Sequence, residues 1–411
     1  MKRSKIIIAS FAAAAIASSL SADQNAEIEL LKKEIAELRA ITSTLVEETS
    51  DLKTGFSYTT VDTAKSHSGL ASAASKVYYS KSPLSIGGYG EMFFASQKGD
   101  STDKQTLDVY RFVPYIGYKF SDNIILNTEI EFEHGGADSS NTAGGYAIIE
   151  FMYLDFLINS HANIRLGHFL VPMGFINEKH EPTLFNTVQR PNTEKNIIPS
   201  TWHESGAMIY GDIVEGLEYK FAAMSAIQTQ ASGSKWLRDG RGGSFKQSDP
   251  NLGFIGRIDY TGTNGLLVGA SAYSAPSANG YDSATTIVDA HFDLHLDAFR
   301  SYGVYSQASR TNADTFAANG VERATGGYIN ASFDTLSLTN SETRLPIFVQ
   351  FESVQEEAER ADGTSGATTR TLTVGVNYFA HEQVVLKADH AMQSKAGVND
   401  AITSFSLGFI F

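Results

Sequence analysis

From Leu84 to the C-terminus, apolar and polar positions alternate along segments of roughly 10–14 residues, the period of β-strands with two unlike faces. In the clearest segment Val288, Ala290, Phe292, Leu294 and Leu296 fall on one face, and Asp289, His291, Asp293, His295 and Asp297 on the other. The pattern predicts about sixteen antiparallel strands, beginning near residues 85, 107, 123, 146, 163, 204, 216, 250, 265, 285, 298, 323, 343, 368, 383 and 399. Short connections carry turn residues: 121–123, 160–162, 214–216, 263–265 and the stretch around His381 and Glu382. Longer polar ones fall between them, at 98–105, 136–145, 171–203, 228–249, 276–283, 309–321, 357–367 and 395–398. Short turns at one end and long loops at the other predict an all-β transmembrane barrel, apolar towards lipid and polar towards a lumen. Tyr118, Phe120, Tyr260, Phe333 and Tyr378 gather at the short-turn ends, where amphipathic rings suit a membrane interface. A secreted β-sandwich or solenoid is the competing reading, with the polar faces turned outward.

Upstream the period changes. Ile28, Leu31, Ile35, Leu38, Thr42, Leu45, Thr49 and Leu52 recur at steps of three and four, which predicts a short α-helical coiled coil over residues 23–53. Ile at a with Leu at d favours two strands, and the two Thr at a weaken that preference. An amphipathic helix lying on another surface is the alternative. Residues 54–83, rich in Ser, Thr, Ala, Gly and Lys, read as a polar linker. Residues 1–22 read as a signal peptide: Lys2, Arg3 and Lys5, an apolar run from Ile6 to Ala17, then small residues. An even strand number leaves both barrel ends, and the coiled coil, on the periplasmic side of a bacterial outer membrane.

One long stretch lacks both periods. Residues 171–203 hold four prolines (Pro172, Pro182, Pro191, Pro199), several large apolar residues and charges of both signs. A structureless run of this length inside a regular array is functional or disordered. Its apolar content points to an ordered loop folded inward after the fifth strand.

Composition narrows the class. The chain has no cysteine, which excludes thiolate metal sites and cysteine nucleophiles and leaves stability to another source, such as a closed hydrogen-bonded sheet. The formal net charge of −14 argues against nucleic acid as a partner.

The run Leu166–Pro182, with Gln189-Arg190-Pro191, Ile198–Trp202 and Glu204-Ser205-Gly206, resembles the phosphate-selective porin O/P-like family of outer-membrane porins. The N-terminal coiled coil resembles that of the related dicarboxylate-transporting trimeric porins. The terminal strand, alternating and ending on Phe411, is similar to the assembly signal of such proteins. The resemblance covers roughly residues 84–411 and implies a sixteen-stranded homotrimer whose third loop enters the pore. It also implies a basic, anion-attracting lining, and here the sequence departs. Alternation places Arg111, Lys119, Arg165, Lys220, Arg257 and Lys387 towards the lumen. It places Glu129, Glu131, Glu133, Asp155, Asp259, Asp289, Asp293, Asp297 and Asp389 there too. The lining is mixed and more acidic than basic.

The function this predicts is passive diffusion of small hydrophilic solutes or ions through a water-filled barrel, filtered at the loop. The alternatives are an anion channel for phosphate or small dicarboxylates, and an envelope tether or surface receptor that conducts little. Within the loop, Lys179, Arg190 and Lys195 face Glu178, Glu181 and Glu194 across a constriction, with His180 among them, or else these groups form ion pairs that fasten the loop. The Asp/His alternation at 289–297 puts neighbours on one face about 6.8 Å apart, and reads as a solvated lumen ladder rather than a metal site. No serine sits in a nucleophile elbow, so neither an enzyme nor a cofactor is expected. The partners expected are outer-membrane lipids, two further copies of the chain, the solutes, and periplasmic or cell-wall contacts through the coiled coil.

Overall fold

The computed structural model describes residues 29–46, 61–136, 145–228, 233, 235–241, 246, 251–276 and 282–411. The expected signal peptide and both ends of the expected coiled coil lie outside these residues. Helix α1, residues 29–46, forms a unit of its own. Leu31, Ile35, Leu38 and Leu45, its apolar stripe, are all about half exposed, and Thr42 satisfies its hydroxyl by donating to Leu38 O at 2.7 Å.

The remainder is a closed barrel of sixteen antiparallel strands. They are β1 (Leu84–Gly99), β2 (Lys104–Ser121), β3 (Ile124–Glu133), β4 (Ala147–Leu157), β5 (Asn163–Leu170) and β6 (His203–Val214). Then follow β7 (Leu217–Ser225), β8 (Leu252–Thr263), β9 (Leu266–Pro276), β10 (Ala284–Leu296) and β11 (Phe299–Arg310). The last five are β12 (Val321–Asp334), β13 (Pro346–Arg360), β14 (Thr369–His381), β15 (Val384–Lys395) and β16 (Val398–Ile410). Pairing of β1 with β16, from Tyr89 opposite Ile410 to Gly99 opposite Asp400, closes the barrel and leaves no free edge.

Facing follows the alternation. On β14 to β16, Leu372, Val374, Leu386 and Phe405 are exposed on the outside, while Thr371, Thr373, Lys387, Asp389, Ser404 and Ser406 are buried within. This is the reverse of a soluble protein. Two irregularities change the facing locally. In β4, Phe151 pairs with Glu129 and Ile149 with Ile130, so Glu150 is an extra, bulged residue and turns inward beside Phe151. The β12–β13 connection, 335–345, is long although it joins the short-turn end, and Asp334 Oδ1 organises it by accepting from Leu336 N and Leu345 N.

Residues 61–83 are not a linker. They fold inside the barrel, where helix α2 (Ser72–Tyr79) buries Ala73, Ala74 and Val77. Asn127 on β3 donates to Ala74 O at 2.8 Å, Lys119 on β2 to Ser80 O at 2.7 Å, and Lys76 to Ile86 O on β1 at 2.6 Å. Gly117 leaves the room that Val77 occupies: a Cβ there would lie 2.5 Å from it. The small residues that read as flexible in sequence are those that let a helix lie this close to the wall.

The filled interior also accounts for β4, whose inner face is apolar over part of its length. Phe151 stacks on Tyr115, and Tyr153 meets Tyr78 and Arg165 inside the barrel.

Candidate functional site

The loop between β5 and β6, residues 171–202, traverses the barrel interior. It starts and ends together: Asn177 donates to Val171 O and Trp202 O and accepts from Trp202 N, all within 2.8 Å. Having no regular ladder, its backbone finds partners among wall side chains, as buried peptide groups must. Val188 N donates to Asp389 on β15, Thr193 N to Glu352 on β13, Asn186 N to Tyr302 Oη on β11, and Gly174 N to Asp289 on β10. Phe175 N and Ile176 N donate to Glu194 within the loop itself. Gly174 has φ +71°, and a Cβ there would come within 2.6 Å of the Glu194 carboxylate. Only glycine fits that turn.

Most lumen charges are consumed by this fastening. Lys220 meets Glu178 at 2.6 Å, with Arg257 3.8 Å from the same carboxylate. Arg257 also contacts Asp259 at 2.7 Å and Gly174 O at 2.6 Å. Arg165 grips Asp155 with two bonds of 2.9 Å, and Arg300 grips Asp293 with two of 3.0 Å. Lys387 donates to Phe185 O at 2.8 Å, and Arg111 lies between Glu91 and Glu131. Glu181 accepts from Ala73 N and Ala74 N, at the N-terminus of α2. His180 sits 3.1 Å from Glu129 and 3.4 Å from Glu150.

One placement departs from the alternation pattern, and two inward residues are spent differently from a solvated lining. Asp297 lies in the exposed β10–β11 turn with φ +50°, outside the strand, and does not line the lumen. His291 is not solvated: it is fully buried, 2.7 Å from Asp289 and 2.8 Å from Asp259, while His295 is left exposed beyond it. Lys119 faces inward but spends its charge on the carbonyl end of α2. Glu133 lines a cavity at the long-loop end.

Basic groups outside any close ion pair collect on one side of the loop. Arg190, Arg238 and Arg241 line a cavity of about 210 Å³ together with Glu131, Glu133, Glu150, Tyr110 and His203. Arg190 and Lys195 line a second of about 190 Å³ against β13 to β16. Among the described residues, none of these four basic groups has a carboxylate within 4 Å. Arg238 and Arg241 donate instead to carbonyls, Ser200 O and Thr201 O, each at 2.6 Å. Among the described residues, Arg190 Nε and one terminal nitrogen find no hydrogen-bond partner. A third cavity, about 400 Å³, is lined by Lys179, Leu184 and residues of the 61–72 segment, with Arg344 from the short-turn end.

The loop's ionisable groups reflect this setting. Burial together with Arg238 and Arg190 lowers the Lys195 ammonium to about 8. Burial and the neighbouring Arg241 and Arg190 bring Arg238 down to about 10. Burial raises Glu194 to about 7 against the pull of the Phe175 and Ile176 amides. It raises Glu181 equally, to about 7, against the amides of Ala74 and Ala73. For His180 burial favours the neutral ring, but Glu129 and Glu150 outweigh it and raise it to about 10.

Sequence reasoning missed Arg238, Arg241, Glu91 and Glu150. The signal for the first two was Lys235–Arg241, where Trp236 and Leu237, both now buried, anchor a basic loop. Glu150 is a lone carboxylate in an apolar run, and a bulge is the local way to turn it inward.

No family model matches the chain. It is 32% identical over 353 residues to an uncharacterized protein of Aquifex aeolicus (strain VF5), covering 80% of each chain. The chain belongs to that protein's family. Among solved structures, an anion-selective porin from Comamonas acidovorans matches with a TM-score of 0.56 and 12% identity, over 80% of this chain and 99% of that one. A loop-deletion mutant of OmpT, an outer-membrane protein of Vibrio cholerae, matches with a TM-score of 0.53 and 10% identity, over 80% and 100%. OmpF of Salmonella typhi in complex with daunomycin matches with 0.52 and 10%, over 80% and 97%. At such identities the likeness is one of fold: the sixteen-stranded barrel of porins.

Proposed function

We propose that this protein is a bacterial outer-membrane porin that passes small hydrophilic solutes by diffusion, with residues 171–203 as its constriction and a preference for small anions. The observation that carries the first part is the inverted polarity of the closed barrel: large apolar side chains exposed outside, polar and charged ones buried inside. Only a lipid exterior makes that arrangement stable. The preference rests on pairing rather than composition. Most bases of the lining are already paired with its acids, whereas Arg190, Lys195, Arg238 and Arg241, at the long-loop side of the constriction, form no ion pair within 4 Å among the described residues. A cluster of basic groups outside close ion pairs, in a low-dielectric mouth, concentrates and desolvates anions.

The Leu166–Pro182 run supports a kinship with phosphate-selective porins, and the anion selectivity named for the Comamonas protein supports the same direction. Phosphate and small dicarboxylates are the solutes that fit a cluster of guanidinium groups, which bind both in forked geometry. The uncovered apolar stripe of α1 supports a coiled coil of three such helices in the periplasm, and one OmpT structure is of a trimer form.

One observation favours a second reading, a tether that conducts little. Loop 171–202 and residues 61–82 together bury most inward side chains, leaving separate cavities of about 210, 190 and 400 Å³. Recording purified protein in planar lipid bilayers decides between the two. Stepwise conductance supports the porin, and a silent bilayer with folded, inserted protein supports the tether and ends the porin reading.

A further inference from the structure

Where the loop crosses β3 and β4, Glu129, Glu150 and His180 converge in a spot closed to solvent, with exposures of 0, 0 and 3%. His180 Nε2 lies 3.1 Å from Glu129 Oε1 and 3.4 Å from Glu150 Oε2. One donor atom from each residue lies within 4.8 Å of the other two. The ring's other nitrogen, Nδ1, is 2.8 Å from Asn177 O and donates to it, which aims Nε2 at the carboxylates. A separate observation concerns the acids. Glu129 Oε2 and Glu150 Oε2 are both buried and accept no hydrogen bond among the described residues. Buried carboxylate oxygens are costly to leave unmatched. A cation shared among the three residues removes that cost.

We propose that Glu129, Glu150 and His180 bind one divalent transition-metal ion of the Zn²⁺ class and that the ion clamps the loop to β3 and β4. The distances fit that size of ion. Zn–N and Zn–O bonds of about 2.0–2.1 Å at tetrahedral angles place ligand atoms about 3.3 Å apart. The two measured separations, 3.1 and 3.4 Å, bracket this value. Ca²⁺ asks for six or more oxygens and Mg²⁺ for an octahedron, so one imidazole with two carboxylates suits neither. Second-layer contacts hold the donors in place: Asn177 O orients His180, and Thr201 Oγ1 donates to the other oxygen of Glu150. Glu150 also lines the 210 Å³ cavity, which offers the ion a way in and room for a water as fourth ligand. Binding replaces the Nε2 proton of His180, so one proton leaves as each ion enters. The site stands whether or not the barrel conducts.

The test uses the full chain, folded in detergent micelles, stripped with chelator and titrated with Co²⁺ and then Zn²⁺. The expected result is one ion per chain, an intense visible Co²⁺ band of tetrahedral type, and its loss on adding one equivalent of Zn²⁺. Glu150→Gln and His180→Ala should each weaken binding by at least about 100-fold. Thr201→Val, which keeps all three ligand residues and removes only the hydrogen bond to Glu150 Oε1, should weaken it by about 10–100-fold. Folding of each variant is checked by its shift in electrophoretic mobility on heating. No stoichiometric binding by the folded wild type overturns the proposal, as does an affinity unchanged in Glu150→Gln and Thr201→Val should His180→Ala fail to fold.

Discussion

The two sides of the loop carry similar charges and use them differently. Towards the short turns and around its middle, Glu178, Lys220, Arg257 and Asp259 are joined in bonds of 2.6–2.7 Å that hold the loop to the wall, and Arg165 and Asp155 in bonds of 2.9 Å that tie β5 to β4. Towards the long loops, Arg190, Lys195, Arg238 and Arg241 have no such partners among the described residues. The first group is architecture and the second is field. A count of charges along the strands mixes the two, and it gives no sign of four bases near the mouth that form no close ion pair among the described residues.

The sharpest way to break this comparison is to remove one partner from each side. Lys220→Met leaves Glu178 buried without its ammonium, and should destabilise the folded barrel by about 3–5 kcal/mol in urea-unfolding experiments. Arg238→Gln should cost less than about 1 kcal/mol, since no carboxylate depends on it. Equal costs would show that the two sides are not distinct. Adding Glu178→Met to Lys220→Met should recover most of the loss, because no charge is then stranded.

Much of the architecture was legible. Every strand begins within three residues of its expected position, because alternation over sixteen segments leaves little freedom of register. What the pattern could not carry was the interior. Period-two reading assigns a face, not a neighbour, so it placed His291 in water when the loop covers it. It had no access to the bulge at Glu150, where two successive residues face inward. Residues 61–83 were misread because small polar residues serve a flexible chain and a tightly packed helix alike. Ala73 and Ala74 are small for the second reason.

Smaller effects are expected with pH. Lys195 loses its charge as pH rises through about 8, so anion preference should decline between roughly pH 7 and 9, and Lys195→Met should lack that step. Glu194 titrates on the architectural side. Its folded value of about 7 lies above that of an ordinary carboxylate, so the folded state holds the proton more tightly than the unfolded one. The stability this contributes is complete below about pH 4 and is lost as pH rises through about 7. Urea unfolding of wild type and Glu194→Gln across that range should show the slope in the first and its absence in the second. The smallest effect on conductance belongs to α1: deleting residues 23–53 should leave single-channel conductance unchanged while lowering the temperature at which oligomers dissociate on gels.

If the guanidinium groups outside ion pairs at the long-loop side set the permeating charge, the reversal potential of single channels under a salt gradient should depend on them. The wild type should give an anion-selective potential, and Arg190→Gln/Arg238→Gln/Arg241→Gln should move it through zero towards cation selectivity, as Glu131, Glu133 and Glu150 of the same cavity take over. A wild-type potential that is already cation-selective, or one that the triple substitution leaves unmoved, would rule this out.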